Sequence, residues 1–208
     1  YGLVGSEMCI RDSYIQQIED CFPVIYPTST LPALGVKPDE IGLDRLFKIK
    51  ERDNLKIVSI AVANFEQMEL FVTIPDYLEN FLNLFPKGAI TCILKGKTQF
   101  DSRIGGESIA IRIVGHPIAN NLLQKVGPLT ATSANISGMS TVYSCIDAAK
   151  ALRLPIENSI DVTCKGGKPS TLIRCPVFLS SSGGQQPEIV RDGTVSKLEV
   201  MTKWKDLI

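Results

Sequence analysis

Apolar residues recur along this chain with two different periods, and the switches between them mark its elements. At 22–26 aromatic and β-branched residues surround Pro23, which suits the opening of a strand. Residues 57–62 and 89–94 are apolar runs of buried-strand length. Residues 108–114 alternate: Ile109, Ile111 and Ile113 point one way, while Ala110, Arg112 and Val114 point the other. Between these runs the period lengthens. Asp39 can cap a helix whose apolar positions include Ile41, Leu43, Leu46, Phe47 and Ile49. Asn64 with Gln67 predicts a capping box opening a short helix. Pro75 opens another segment, with Leu78, Leu82 and Phe85 on one face. Pro117 starts a helix that runs through Val126 and stops at Gly127. Ser144 and Asp147 cap the next helix. Short strands are expected at 160–162, 170–173 and 188–190, and loops at 27–35 and 180–186.

Strands alternating with helices predict an α/β domain on a twisted, mixed β-sheet flanked by helices. One domain is expected over 14–200. Residues 1–13 carry neither period and are expected to be a non-native or disordered leader that conceals the true start. Residues 201–208 are expected to be a tail.

Charge and cysteine content narrow the function classes. The chain has 22 basic and 22 acidic residues among 208, a balance that argues against a nonspecific nucleic-acid coat while leaving room for a local basic cleft. No run of 18 apolar residues predicts a membrane span. The six cysteines form no C-x-x-C pair and His116 is the one imidazole, which argues against a Cys/His zinc site. Scattered core thiols suit a reducing cytosol.

Basic and hydroxyl-bearing segments carry the candidate chemistry. Lys50, Arg52 and Lys56 lie at and beyond a predicted helix end. They could complement its C-terminal dipole or converge on phosphates. Neither a Walker A motif nor a dinucleotide glycine fingerprint is present, so a nucleotide site would be built from side chains and turns. Thr28 and Thr30 can face one ligand or cap their own loop. Ser133 and Asn135 share the same two-residue spacing, although Asn135-Ile136-Ser137-Gly138 can also be a plain turn. Arg112, a charge inside an apolar strand, needs either a salt bridge at the sheet rim or an anion. Gly166 and Gly167 precede Pro169-Ser170-Thr171, and Arg191-Asp192-Gly193 is a late turn with a cation. A Ser-His-Asp triad would have to use His116, which sits at a helix entrance, and no Gly-x-Ser-x-Gly elbow occurs. Asp101, Glu107 and Asp161 show no spacing that singles out a catalytic pair.

The order of these segments resembles the YrdC/YciO family. Tyr26-Pro27-Thr28-Ser29-Thr30 is similar to that family's Tyr-Pro-Thr-Asp-Thr opening. Lys50-Glu51-Arg52 with Lys56 matches its Lys-x-Arg signature, and Gly88 to Thr91 matches its Pro-Gly-x-x-Thr motif. Arg112 stands where the family strand ends in a substrate-binding Arg. Ser133-Ala134-Asn135 with Ser137-Gly138, then Pro169-Ser170-Thr171 and Arg191-Asp192-Gly193, complete the series. The resemblance implies a YrdC-like single domain with an open ligand cleft. It also implies synthesis of threonylcarbamoyl-AMP from ATP, L-threonine and bicarbonate, with release of pyrophosphate. Lys50, Arg52, Lys56, Ser133, Asn135 and Arg191 would take the nucleotide, with Lys50 and Arg52 catalytic. Thr28, Thr30, Thr91, Arg112 and Ser170 would take threonine. Mg2+ would accompany ATP, and no zinc or organic cofactor is implied. The product would pass in the cytoplasm to a transferase that modifies tRNA, with tRNA or double-stranded RNA as further candidate partners.

The departures from the pattern lie near the amino-acid pocket. Ser29 replaces an Asp, Pro32-Ala33 replaces Tyr-Gly, Ala61 replaces a His, and Lys87 and Asp53 replace prolines. They keep open a YciO-like nucleotide- or RNA-binding protein with weak or no synthesis. A carbamoyl-transfer accessory domain is a third reading, with no acylphosphatase-like or zinc-finger segment in the sequence to accompany it.

Overall fold

The computed structural model describes residues 12–177 and 186–207. Helices and strands follow in the order α1 (Asp12–Glu19), β1 (Val24–Tyr26), β2 (Ala33–Gly35), α2 (Glu40–Lys50), β3 (Ser59–Val62), α3 (Phe65–Met68), α4 (Leu78–Leu82), β4 (Ile90–Lys95), β5 (Ser108–Ile113), α5 (Pro117–Val126), β6 (Leu129–Ser133), α6 (Cys145–Ala151), β7 (Thr171–Arg174), β8 (Glu188–Arg191) and α7 (Lys197–Leu207). The strands form one sheet in the order β1-β2-β6-β3-β5-β4-β7-β8. The β3/β5 and β4/β7 pairs are parallel and the other neighbours antiparallel, so the sheet is mixed, as the alternation of elements predicts. It is open rather than closed, and helices flank it.

Local signals set several boundaries. The Asp39 carboxylate accepts from the Gly42 amide at 2.7 Å and starts α2. Asn64 accepts from the Gln67 amide at 3.0 Å, but Gln67 reaches back to the Ala63 amide at 2.9 Å instead of closing the box on Asn64. Pro117 and Gly127 bracket α5, and Gly127 has φ +82°.

Several segments differ from the sequence expectation, among them β6 at Leu129–Ser133, where the sequence reading places no strand. Residues 33–35 are not loop: β2 pairs with β1 on one side and β6 on the other, and its apolar residues are buried between them. Residues 160–162 form no strand; a single bridge joins Ser159 to Ile25, and the backbone turns away. The helix expected from Pro75 begins at Leu78. The expected tail is the helix α7, anchored by Trp204, which is 1% exposed and packs edge-on against Tyr77 and Phe81. Of the expected leader, Asp12 and Ser13 open α1, whose Tyr14 and Ile18 are buried. Residues 1–11 and most of the 180–186 loop lie outside the described residues.

The two faces of the sheet have different fates. One face is apolar along its length: Leu34, Ile60, Ile90, Cys92, Ile109, Ile111 and Ile173 pack under α2, α4, α6 and α7. The opposite face carries a smaller core at one end, where Val24, Tyr26, Ala61 and Leu129 meet α1 and α5. Its remainder is left uncovered and forms a cleft.

Candidate functional site: an arginine-lined cleft

The cleft encloses about 760 Å³ and is lined by alternate residues of the central strands. Thr91 and Ile93 of β4, Ala110 and Arg112 of β5, and Leu172 and Arg174 of β7 all face it. Their chain neighbours Cys92, Ile111 and Ile173 face the core. The two-residue strand period thus places the polar side chains on one surface. Four arginines, Arg52, Arg112, Arg174 and Arg191, line this space, and no Asp or Glu does so among the described residues. Such a charge set suits an anionic ligand.

Arg112 sits at the base of the cleft and is 8% exposed. No ion pair to it is present among the described residues. Burial pulls its pKa below the ordinary arginine value, and Arg191 adds to that direction. Guanidinium nevertheless stays charged at any ordinary pH, so an anion at this point relieves an unpaired buried charge. The sheet-rim salt bridge open to Arg112 from sequence alone is therefore absent from the described residues. Thr91 and Ser170 share a hydrogen bond of 2.6 Å at the same end. Arg191 donates to the Ser170 carbonyl at 2.9 Å, tying β8 to that wall.

Glycine shapes that wall by close approach. A Cβ on Gly193 would lie 2.3 Å from the Pro169 carbonyl oxygen and 2.5 Å from the Thr171 amide. The Thr194 amide donates to that carbonyl at 2.9 Å, and Thr171 Oγ1 donates to the Val195 carbonyl at 2.6 Å. The Pro-Ser-Thr and Arg-Asp-Gly segments are therefore two halves of one clasp.

The opposite wall is built from the basic motif and the Ser-Ala-Asn loop. Arg52 Nε donates to the Lys56 carbonyl and Nη2 to the Ile57 carbonyl, both at 2.9 Å, which fixes the guanidinium at the cleft. Lys50 takes a different position. Its ammonium is 1% exposed and donates to the carbonyls of Ser133 and Asn135, the latter at 2.5 Å. Burial, helped by the nearby Arg52 charge, lowers its pKa to about 8. Ser133 Oγ donates to Asn135 Oδ1 at 2.6 Å, and Asn135 Nδ2 donates to the Met139 carbonyl at 2.6 Å. Gly138, at φ +86°, supplies the left-handed turn that closes this loop.

The structure thus sorts the residues expected at the site. Arg52, Ser133, Arg191, Thr28, Thr30, Thr91, Arg112 and Ser170 line one cleft. Lys50 and Asn135 are buried beneath its wall, and the Lys56 side chain is exposed outside it. Thr28 Oγ1 also caps its own loop, donating to the Leu31 carbonyl at 2.7 Å and accepting from the Thr30 and Leu31 amides, each at 3.2 Å. Arg174 escaped the motif reading; the two-residue spacing from Leu172 was the signal that could have found it. Ala61 pairs with Arg112 across β3 and β5, so only a methyl group stands beside that guanidinium on this strand. No group of three or more metal-ligating side chains occurs among the described residues. No helix among them is long and apolar enough to cross a membrane.

An open α/β sheet whose uncovered face gathers four guanidiniums and a wall of hydroxyls defines an anion-binding cleft protein. This chain belongs to the Sua5/YciO/YrdC family: residues 16–193 match the family described as "Telomere recombination". It is 32% identical over 158 residues to a threonylcarbamoyl-AMP synthase of Pseudoalteromonas translucida, an alignment covering 72% of this chain and 84% of that one. Among solved structures it resembles Pyrococcus abyssi Sua5 complexed with L-threonine, with TM-score 0.78 and 27% identity over 91% of this chain; it spans 55% of that longer chain. The fold is also that of E. coli YciO, with TM-score 0.68 and 22% identity over 90% of each chain.

Proposed function

We propose that this protein is an L-threonylcarbamoyladenylate synthase, a nucleotidyltransferase acting on L-threonine, bicarbonate and ATP. The observation that carries the reading is the cleft itself: four arginines line it and no carboxylate does among the described residues, and one of the four is buried and unpaired beside the Thr91–Ser170 hydroxyl pair. A single cleft of this kind accommodates a polyphosphate and an amino-acid carboxylate together. The relatives named above supply the family context.

Arg112 holds the threonine carboxylate, with Thr30, Thr91 and Ser170 around the amino acid and Thr28 shaping its loop. The unprotonated threonine amine attacks the carbon of bicarbonate. The N–C bond forms, one C–O bond breaks, and the departing hydroxide takes the amine proton and leaves as water, giving an N-carboxy group. An oxygen of that carboxylate attacks the α-phosphorus of ATP. One Pα–O bond forms, the Pα–O bond to the β-phosphate breaks, and its electron pair leaves on pyrophosphate. Arg52 and Arg191 stabilise the charge that gathers on the phosphates. Positioning and charge do the work, since the substrates bring their own nucleophile. Lys50 and Asn135 act through the loop they hold, which presents Ser133 to the nucleotide. Mg2+ belongs to this reading as part of the MgATP substrate, where phosphate oxygens and water would be its main ligands. The product passes in the cytoplasm to a tRNA-modifying transferase.

The reading is tested by incubating the full chain with ATP, Mg2+, bicarbonate and threonine. Pyrophosphate release matched by threonylcarbamoyl-AMP in the mass spectrum supports it. ATP binding with no adduct would favour the YciO-like binding protein, for which Ala61 beside Arg112 is the specific observation.

A further inference from the structure

Arg174 belongs to none of the sequence signatures, yet its side chain lines the cleft. In the sheet it lies between Ile93 of β4 and Glu188 of β8. Its Nε donates to Glu188 Oε2 at 3.1 Å, with the two side chains 51% and 66% exposed. Water competes well for a pair this open, so it breaks at little cost.

The strand register places the four guanidiniums around one floor. Arg191 pairs with Leu172, and Leu172 with Thr91, on the row that continues to Arg112. Arg174 pairs with Ile93, and Ile93 with Ala110, on the next row. That row continues to Ser59, close to the carbonyls that pin Arg52. Successive rows on one face are two residues apart, about 7 Å, well within the reach of an arginine side chain. Between them Ile93, Ala110 and Leu172 offer no polar group. A ligand on this floor therefore meets charge only from the corners, and Arg174 is the outer corner on the β8 side.

We propose that Arg174 is a further anion-binding residue of this cleft, taking the terminal phosphates of the nucleotide and the pyrophosphate formed from them. On ligand entry the guanidinium exchanges the Glu188 carboxylate for phosphate oxygens. Glu188 is the competing acceptor and keeps the fork extended along the sheet edge when the cleft is empty. The assignment rests on the nucleotide reading above.

The test is calorimetric titration of the full chain with inorganic pyrophosphate, ATP and threonine separately. Loss of one charge-assisted fork at a partly exposed site predicts about five- to tenfold weaker pyrophosphate and ATP binding by Arg174→Ala. Arg174→Lys keeps the charge without the fork and should lose about two- to threefold. Glu188→Gln removes the competitor and should tighten pyrophosphate binding by about two- to threefold. Threonine affinity stays unchanged in all three, and the thermal midpoint reports their folding. If Arg174→Ala binds pyrophosphate and ATP like the wild type while Arg52→Ala is weakened, the Arg174 assignment is overturned and the nucleotide reading stands. If the wild-type chain binds neither anion, the nucleotide reading falls, and this assignment with it.

Discussion

Lys50 and Arg112 are both buried cations with no carboxylate partner among the described residues, and the two walls of the cleft treat them differently. On one wall the Lys50 ammonium is held by the Ser133 and Asn135 carbonyls. It supports a loop and is not among the residues that line the cleft. On the other wall Arg112 looks into the open space with its charge uncompensated. The Lys50 ammonium, a compact point charge, is met by these two carbonyl oxygens, whereas the planar Arg112 fork, whose geometry matches a carboxylate or phosphate, lacks a carboxylate partner among the described residues. The same observation, a buried cation in a signature position, therefore means architecture in one case and, on the function proposed above, a ligand contact in the other.

Substitution of Lys50 should give the largest effect and should fall on stability. Lys50→Met leaves two buried carbonyls without their donor, which costs about 2–3 kcal/mol. The thermal midpoint should drop whether or not ATP is present. A Lys50→Met protein as stable as wild type that lost ATP binding alone would make Lys50 a ligand contact and erase the contrast.

Arg112→Lys should leave the midpoint unchanged, because no protein partner is lost. Threonine binding should weaken by about tenfold, roughly 1.4 kcal/mol, through loss of the planar fork. ATP affinity should hold. A fall in stability with threonine binding intact would return Arg112 to a structural role.

The pH dependence sharpens the Lys50 side. Its folded pKa of about 8 lies below the usual lysine value of 10.5. Between those values the unfolded chain binds more protons than the folded one, so this group's contribution to stability rises with pH. From pH 8 to 9 the rise is about 1 kcal/mol by linkage. Other groups titrate in the same range, so the quantity to measure is the difference between wild type and Lys50→Met in denaturant unfolding. Parallel profiles for the two proteins would contradict the buried, depressed ammonium.

The smallest effect is expected at Lys56. It gives its carbonyl to Arg52 while its side chain is exposed, so Lys56→Ala keeps the contact that matters. ATP affinity should change by less than about twofold, and added salt should remove most of that change. A larger, salt-resistant loss would bring Lys56 into the cleft.

Much of this was legible in the chain. The alternation at 108–114 placed Arg112 on the face opposite Ile109 and Ile111, because a strand has only two faces. Pro117 and Gly127 bounded α5, and Asp39, Asn64 and Ser144 marked helix starts, because caps act on backbone groups a few residues away. Other features left no local trace. The short β2 is preceded by Pro32 and depends on hydrogen bonds from β1 and β6 on either side. Helix α7 has a weak apolar stripe, and its place is fixed by Trp204 docking on Tyr77 and Phe81, far away in the sequence.

By itself, then, the sequence determined the α/β class, the central strands and helix starts, the family signatures and the pool of cations and hydroxyls available to a site. Those properties follow from short-range periodicity, capping and residue chemistry. The tertiary structure alone decided which members of that pool meet. It buried Lys50 and Asn135 under a wall, left the Lys56 side chain outside, and brought Arg174 to the cleft from a strand with no signature charge. The physical reason is that cross-strand register and the covering of one sheet face by helices are set by contacts between residues tens of positions apart. No local pattern contains them.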